Sequence, residues 1–128
     1  MTRDRRLGFR VPLQIFLNKY IKDRPFRALT TNLSETGVFL QVVRTPWMPA
    51  ELDLSVPVGL EFELPGTHEI IWARGEICYG KDTDDLVQGS GIRFTAMPSV
   101  HARLVRDYCV EERRAHLGRL LQRIRHPA

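Results

Sequence analysis

The first group of residues suited to binding chemistry is a run of arginines near the N-terminus. Arg5 and Arg6 are followed, after three further residues, by Arg10. A guanidinium group is always charged, presents a rigid fork of N–H donors and stacks on flat rings. It can therefore pair with a phosphate, bridge the O6 and N7 acceptors of a guanine, or lie on a purine face. Such a run is equally typical of a solvated basic tail.

The second group is the segment Asn32-Leu33-Ser34-Glu35-Thr36-Gly37, which falls where one predicted strand gives way to the next. The short side chains of Asn32 and Ser34 could hydrogen-bond the edge of a base from a rigid surface. Gly37 would allow an unusual backbone angle or a close approach of a ligand to the backbone. The same six residues also make an ordinary hairpin turn, so this group alone does not indicate a function.

Taken together, the two groups resemble the paired signature of the PilZ domain family, an RxxxR segment followed by a (D/N)xSxxG turn. Arg6 and Arg10 match the first motif, and Asn32, Ser34 and Gly37 match the second, 22 residues further along. PilZ domains with both motifs bind cyclic di-GMP. The resemblance therefore implies a cyclic di-GMP site in which the arginines form a mobile clamp and the turn forms a fixed floor.

The resemblance extends over about residues 5–97 and also implies a fold. We expect a mainly β protein, a six-stranded antiparallel PilZ-type β-barrel with a C-terminal α-helix. It further implies a receptor with cyclic di-GMP as its ligand, no enzyme activity and no cofactor. A downstream protein partner is expected, in control of motility or surface polysaccharide. Arg5, beside the clamp, is expected to join the ligand-binding residues and could reach a second nucleotide shared across a dimer.

The hydrophobic pattern independently predicts short strands separated by turn residues, as in an antiparallel barrel or sandwich. The predicted strands cover residues 11–22, 26–32, 37–43, 58–64, 68–79 and 87–94. Within the fifth, Ile70, Trp72 and Ile77 are predicted to point inward. The two cysteines, Cys78 and Cys109, are interpreted as small buried residues rather than a disulfide or a reactive pair.

After Pro98 the apolar spacing becomes helical. A first set of apolar residues is expected to cover the barrel: Val100, Leu104, Val105, Tyr108 and Cys109. A second set follows: Leu117, Leu120, Leu121 and Ile124. The stretch is either one helix or two helices broken near residues 116–118. Its second part is either another packing layer on the same barrel or a surface for another chain, and we favour a homodimer.

Length and charge complete the expected organisation of the 128 residues. We expect a flexible ligand-clamping segment over 1–10, a barrel over 11–97 and a helix over 98–126, with no signal peptide, no membrane span and a cytoplasmic location. The net charge of +4 divides into +6 over residues 1–27, −6 over 28–99 and +4 over 100–128. Basic ends allow a nucleic-acid-binding small barrel as an alternative, but the acidic middle makes nucleic acid an unlikely partner. A PilZ-like adaptor that binds only protein is the other alternative.

Overall fold

The computed structural model describes residues 9–43, 56–82 and 87–125, and within them the backbone forms seven strands and one helix. These elements are β1 (Val11–Pro12), β2 (Phe16–Ile21), β3 (Arg24–Leu33), β4 (Gly37–Val43), β5 (Pro57–Leu64), β6 (Glu69–Asp82), β7 (Val87–Ala96) and α1 (Ser99–Arg125). None of the helical structure in these ranges is long and apolar enough to cross a membrane.

Six of the strands close into a barrel. Around the ring, β3 is followed by β2, β5, β6, β7 and β4, and every pairing is antiparallel. Pairing of β4 with β3 closes the ring, which is the arrangement that removes edge strands from a small sheet. The predicted six-stranded antiparallel barrel with a C-terminal helix is confirmed.

The seventh strand, β1, lies beside the far end of β3, and it was not predicted as a separate element. The alternating pattern indicated one continuous strand over residues 11–22, but the backbone leaves the ladder between Leu13 and Ile15. Thr30 of β3 fills this interruption, because its hydroxyl donates to the Leu13 carbonyl and accepts the Ile15 N–H at 3.0 Å. β1 then pairs with β3 through Val11 and Pro12.

The barrel interior follows from alternation along each strand, because successive side chains point to opposite faces. Leu33, Leu40, Leu60 and Ile71 are all completely buried there. Lys19 is a charged residue in this mainly apolar interior. It is 1% exposed and occupies an inward position on β2. Burial lowers the pKa of its ammonium group, and within the described residues it has no hydrogen bond or ion pair.

The predicted orientation of the start of β6 is wrong. Ile70 and Trp72 are 44% and 49% exposed on the outside of the barrel, whereas Ile71 is completely buried. The pairing with β5 explains this, because Ile71 lies opposite the buried Phe62 and opposite residues share a face. Three consecutive large apolar residues made the alternation ambiguous, and the register resolved it.

Two hairpin turns also begin at different residues from those predicted. Lys22 and Asp23 both have positive φ, 51° and 65°, so they form a tight two-residue turn and Pro25 already belongs to β3. His68, with φ of 58°, lies in the turn before β6 rather than in the strand. Cys78 is exposed on β6, which corrects its predicted burial, whereas Cys109 is buried as expected.

Helix α1 is continuous over its 27 residues, which settles the question of one helix or two. Its first half packs on the barrel through Val105 and Cys109, and the Nδ1 atom of His101 accepts the backbone N–H of Trp72 at 3.0 Å. The first residue of the predicted apolar set, Val100, is exposed. The later leucines are exposed as well, so the interpretation of a second packing layer on the same barrel is wrong.

Candidate functional site: the β3–β4 turn beside β1

The β3–β4 turn is held together by Ser34. Its backbone N–H donates to the Gly37 carbonyl at 2.9 Å, and its hydroxyl oxygen accepts the backbone N–H groups of Thr36 and Gly37, each at 3.2 Å. Ser34 is only 7% exposed. A short hydroxyl side chain that accepts from nearby backbone N–H groups fixes a turn in place. The sequence-predicted Ser34 therefore has a structural role in this turn.

Gly37 begins β4 at a point where two strands approach closely. A Cβ atom added there would lie 2.3 Å from the carbonyl oxygen of Ile92 on β7. Gly37 pairs with Arg93, and its φ lies outside the left-handed region. The expectation of an unusual backbone angle is therefore wrong, and the element that closely approaches the backbone here is β7. Glycine is required here for the packing of β4 on β7.

Asn32 lies between two neighbouring strands just before the turn. Its Cα is opposite Pro12 of β1 on one side and Phe39 of β4 on the other. The residue is half-buried, and among the described residues its side-chain amide makes no hydrogen bond. An amide has two donor hydrogens and an acceptor oxygen. These groups are available to a ligand at the edge of the turn.

Arg10 is brought to the same place by β1. Since Val11 is opposite Leu33, the last residue of β3, Arg10 lies directly before the end of the β1–β3 ladder, where the β3–β4 turn begins. The Arg10 side chain is exposed. The structure thus joins the end of the first motif to the second motif. Arg5 and Arg6 lie outside the described residues, and their roles stay predictions.

One contact near the site was not predicted from the sequence. Phe9, the residue before Arg10, is half-buried against the core, and the guanidinium carbon of Arg113 on α1 lies 4.4 Å from the centre of its ring. This distance is within the range of a cation–π interaction. An aromatic residue inside a basic tail is the only sequence signal for it, and nothing in the helix marks Arg113. The N-terminal segment is therefore in contact with α1.

The middle of α1 also lies close to the turn. The Cys109 thiol is 3.9 Å from the Leu33 carbonyl oxygen. Burial, together with the negative charges of Glu35 and Glu112, raises the pKa of this thiol to about 12. Cys109 is therefore a protonated packing residue, not a nucleophile. The charged groups around the site therefore have both signs: Arg10 and Arg113 are positive, and Glu35 and Glu112 are negative.

Sequence comparison identifies the class of protein. The family model for the PilZ domain matches residues 4–111, which is most of the chain. The closed barrel, the β3–β4 turn and the helix described above agree with this match. The chain belongs to the PilZ domain family. A comparison with the curated protein sequences finds no match.

Solved structures with a similar fold include proteins from three bacteria. The PilZ domain of YcgR from Escherichia coli, solved with c-di-GMP, has a TM-score of 0.68 and 16% identity over 91% of this chain and 98% of that one. Bacillus subtilis inhibitor of motility (MotI/DgrA) has a TM-score of 0.71 and 14% identity over 87% and 52% of the two chains. Borreliella burgdorferi PlzA, solved in complex with c-di-GMP, has a TM-score of 0.58 and 14% identity over 83% and 41%. This chain thus spans about half of MotI/DgrA and less than half of PlzA.

Proposed function

We propose that this chain is a receptor for cyclic di-GMP and that the ligand binds where β1 meets the β3–β4 turn. The observation that carries the proposal is the register of β1 on β3, which pairs Val11, the residue after the last arginine of RxxxR, with Leu33, the residue before the serine of NxSxxG. Arg10 and Asn32 are 22 residues apart in the sequence, and this register supports a common site for them. The YcgR and PlzA structures named above contain c-di-GMP, which supports the same ligand here.

The chemistry of the available groups suits this ligand. Cyclic di-GMP has two phosphates and two guanines, and each guanine offers the O6 and N7 acceptors that an arginine fork meets with parallel hydrogen bonds. The exposed Arg10, with Arg6 and Arg5 upstream, supplies guanidinium groups to the ligand. The amide of Asn32, which has no hydrogen bond among the described residues, supplies a donor and an acceptor at the edge of the fixed turn. Ser34 holds that turn in place.

The proposed role is that of a binding protein, not an enzyme, with the messenger as ligand and no cofactor. Its location is the cytoplasm, and the signal leaves through a downstream protein or a second copy of the chain. MotI/DgrA is described as an inhibitor of motility, which favours motility as the controlled process, with surface polysaccharide as the other output. The alternative of nucleic acid is disfavoured, because exposed Trp72 has Glu61 opposite it and a carboxylate repels phosphate.

Calorimetric titration of the purified protein with cyclic di-GMP tests the proposal, with GTP and cyclic di-AMP as ligand controls. We expect binding of cyclic di-GMP alone, and weaker binding as salt rises, because arginine–phosphate attraction is screened. Absence of heat at high protein concentration would refute it.

A matched pair of variants tests the site itself. Arg10→Ala should weaken binding by about 2 kcal/mol, roughly thirtyfold, because a charged contact is lost. Arg24→Ala removes the same charge from an exposed position at the opposite end of β3 and should leave affinity unchanged. Equal affinities for the two variants would mean that another surface holds the ligand.

A further inference from the structure

The distal half of α1, defined as residues 113–125, carries a stripe of large apolar side chains in contact with water. These residues are Leu117, Leu120, Leu121 and Ile124, the last of them 72% exposed. At about 100° per residue, the stripe is turned by about a quarter of a turn from Val105 and Cys109, the residues that α1 buries against the barrel. The stripe therefore lies to one side of the face that α1 buries against the barrel, and it is exposed.

A second apolar surface lies on the outside of the barrel, across β2, β5 and β6. It contains Phe16, 59% exposed, together with the exposed Ile70 and Trp72. Glu61 of β5 is opposite Trp72, and the same register puts Glu63 opposite Ile70. We call this surface of five residues the Trp72 face. It is apolar at both sides with two carboxylates along its middle strand.

The carboxylate of Glu61 is fixed in position on this face. It accepts a hydrogen bond from Asn18 Nδ2 at 3.1 Å and another from the Tyr20 hydroxyl at 2.9 Å. The bond to Glu61 raises the pKa of Tyr20, so the phenol stays a donor at neutral pH. A carboxylate held by two neighbours loses little conformational freedom when it pairs with a cation.

We propose that the distal half of α1 in one copy packs on the Trp72 face of a second copy, and the reverse. The two surfaces are complementary in charge, because the distal half contains five arginines and no acidic residue, whereas Glu61 and Glu63 line the middle of the face. They also match in size. A helix is about 10 Å across, and β2 and β6, separated by β5, are about 10 Å apart.

The chain's own helix cannot return to this face, so a helix that covers it belongs to another molecule, and the complementary charges favour a second copy. α1 starts beside the face, where His101 accepts the N–H of Trp72, and continues without a break past Cys109 at the other motif. Its distal half extends about 18 Å further. Reciprocal packing uses each helix and each face once, so the assembly closes as a symmetric dimer and does not polymerise.

This inference deepens the output of the proposed function, since it names the surface through which two receptors associate, but the contact itself requires no ligand. A protein that binds cyclic di-GMP and stays monomeric would overturn the dimer and leave the receptor proposal intact. A dimer that does not bind the messenger would refute the receptor proposal and leave the dimer contact intact.

Light scattering and sedimentation of the full chain over a wide concentration range test the contact. We expect a dimer that Leu121→Glu and Trp72→Ala each weaken by about tenfold or more, since both remove a central apolar side chain. Matched controls are Ala115→Glu, which adds the same charge to the opposite side of the helix, and Cys78→Ala, which truncates another exposed residue of β6. Both controls should dimerise normally.

A mixing experiment separates this dimer from simple pairing of two helices. A copy with Leu121→Glu keeps an intact face, and a copy with Trp72→Ala keeps an intact helix, so an equimolar mixture should form heterodimers through one remaining contact. Three outcomes would overturn the proposal. Trp72→Ala could leave dimerisation unaffected, the mixture could dimerise no more tightly than either variant alone, or the unmodified protein could be a monomer at every concentration. The last outcome would leave the Trp72 face to a different protein.

Discussion

The two motifs of the site are built in opposite ways. The β3–β4 turn is part of the barrel, since Ser34 satisfies two backbone N–H groups and Gly37 allows β4 to lie against β7. In the part of the arginine segment that the structure describes, the attachment consists of the two residues of β1 and the contact of Phe9 with Arg113. Arg10 is exposed and belongs to no strand.

This difference shows that a binding signature can combine residues required for folding with residues required only for the ligand. Substitutions in the turn should change stability and affinity together. Substitutions of the arginines should change affinity alone. The following variants test that division, from the largest expected effect to the smallest.

Gly37→Val should produce the largest loss of stability. Its side chain would overlap the Ile92 carbonyl, and overpacking of this kind costs about 3 kcal/mol. Gly59→Val is the matched control, because the nearest atom to a Cβ there is Tyr20 Cβ at 3.5 Å, an ordinary contact. Urea unfolding measures both variants. Equal stability of the two would show that β4 and β7 can separate without cost.

Arg6→Ala should reduce affinity for cyclic di-GMP by about 2 kcal/mol, roughly thirtyfold, with no change in the free energy of unfolding. Calorimetry and urea unfolding on the same sample measure the two quantities. In addition, amide exchange over residues 1–10 should slow when the messenger is added, because a clamp becomes ordered on its ligand. Exchange that is equally slow in both states would argue against a mobile clamp.

Ser34→Ala should lower the affinity for cyclic di-GMP and the free energy of unfolding modestly, by about 1 kcal/mol each, because the turn loses its hydroxyl acceptor. Thr67→Ala is a close control, since Thr67 makes the equivalent bonds in the β5–β6 turn, donating to Leu64 and accepting from Glu69. It should lose stability but keep full affinity. Loss of affinity in Thr67→Ala would show that binding follows global stability and not the turn.

Arg113→Met should have the smallest effect, about 0.5 kcal/mol of stability, because it removes the cation–π contact with Phe9 but keeps the length of the side chain. Amide exchange at residues 9–12 should become faster. Arg114→Met, which removes the neighbouring pair with Glu111, is the control and should leave that exchange unchanged. The same exchange rates in both variants would mean that α1 does not hold the segment.

Much of this architecture could be predicted from the sequence because alternation and motif order are local signals. The strands follow from the alternation, whereas the closed barrel and the pairing of the two motifs follow from the resemblance to the PilZ family. The role of Gly37 could not be resolved in this way, since its crowding neighbour, Ile92, is 55 residues away in the sequence. Phe9 and Arg113 are even further apart in the sequence, and no sequence pattern predicts their contact.

Two residues have a chemical type that conflicts with their position, and for one of them, Trp72, the predicted orientation is wrong. Trp72 was placed inside because it is large and apolar, yet the β5–β6 register puts it outside. Lys19 continues the inward alternation of β2, but a lysine is seldom buried without a partner, so hydropathy alone would assign it to the surface. In both cases the ladder geometry outweighed the preference of the side chain.

The bond between His101 and Trp72 has a consequence for solubility. β7 ends opposite Arg74, so residues 69–73 of β6 have β5 on one side and no strand of the described chain on the other. Unpaired backbone groups of this kind attract strands from other molecules and start aggregation. The imidazole of His101 accepts the Trp72 N–H at 3.0 Å, so the first turn of α1 covers part of this edge, where a foreign strand could add.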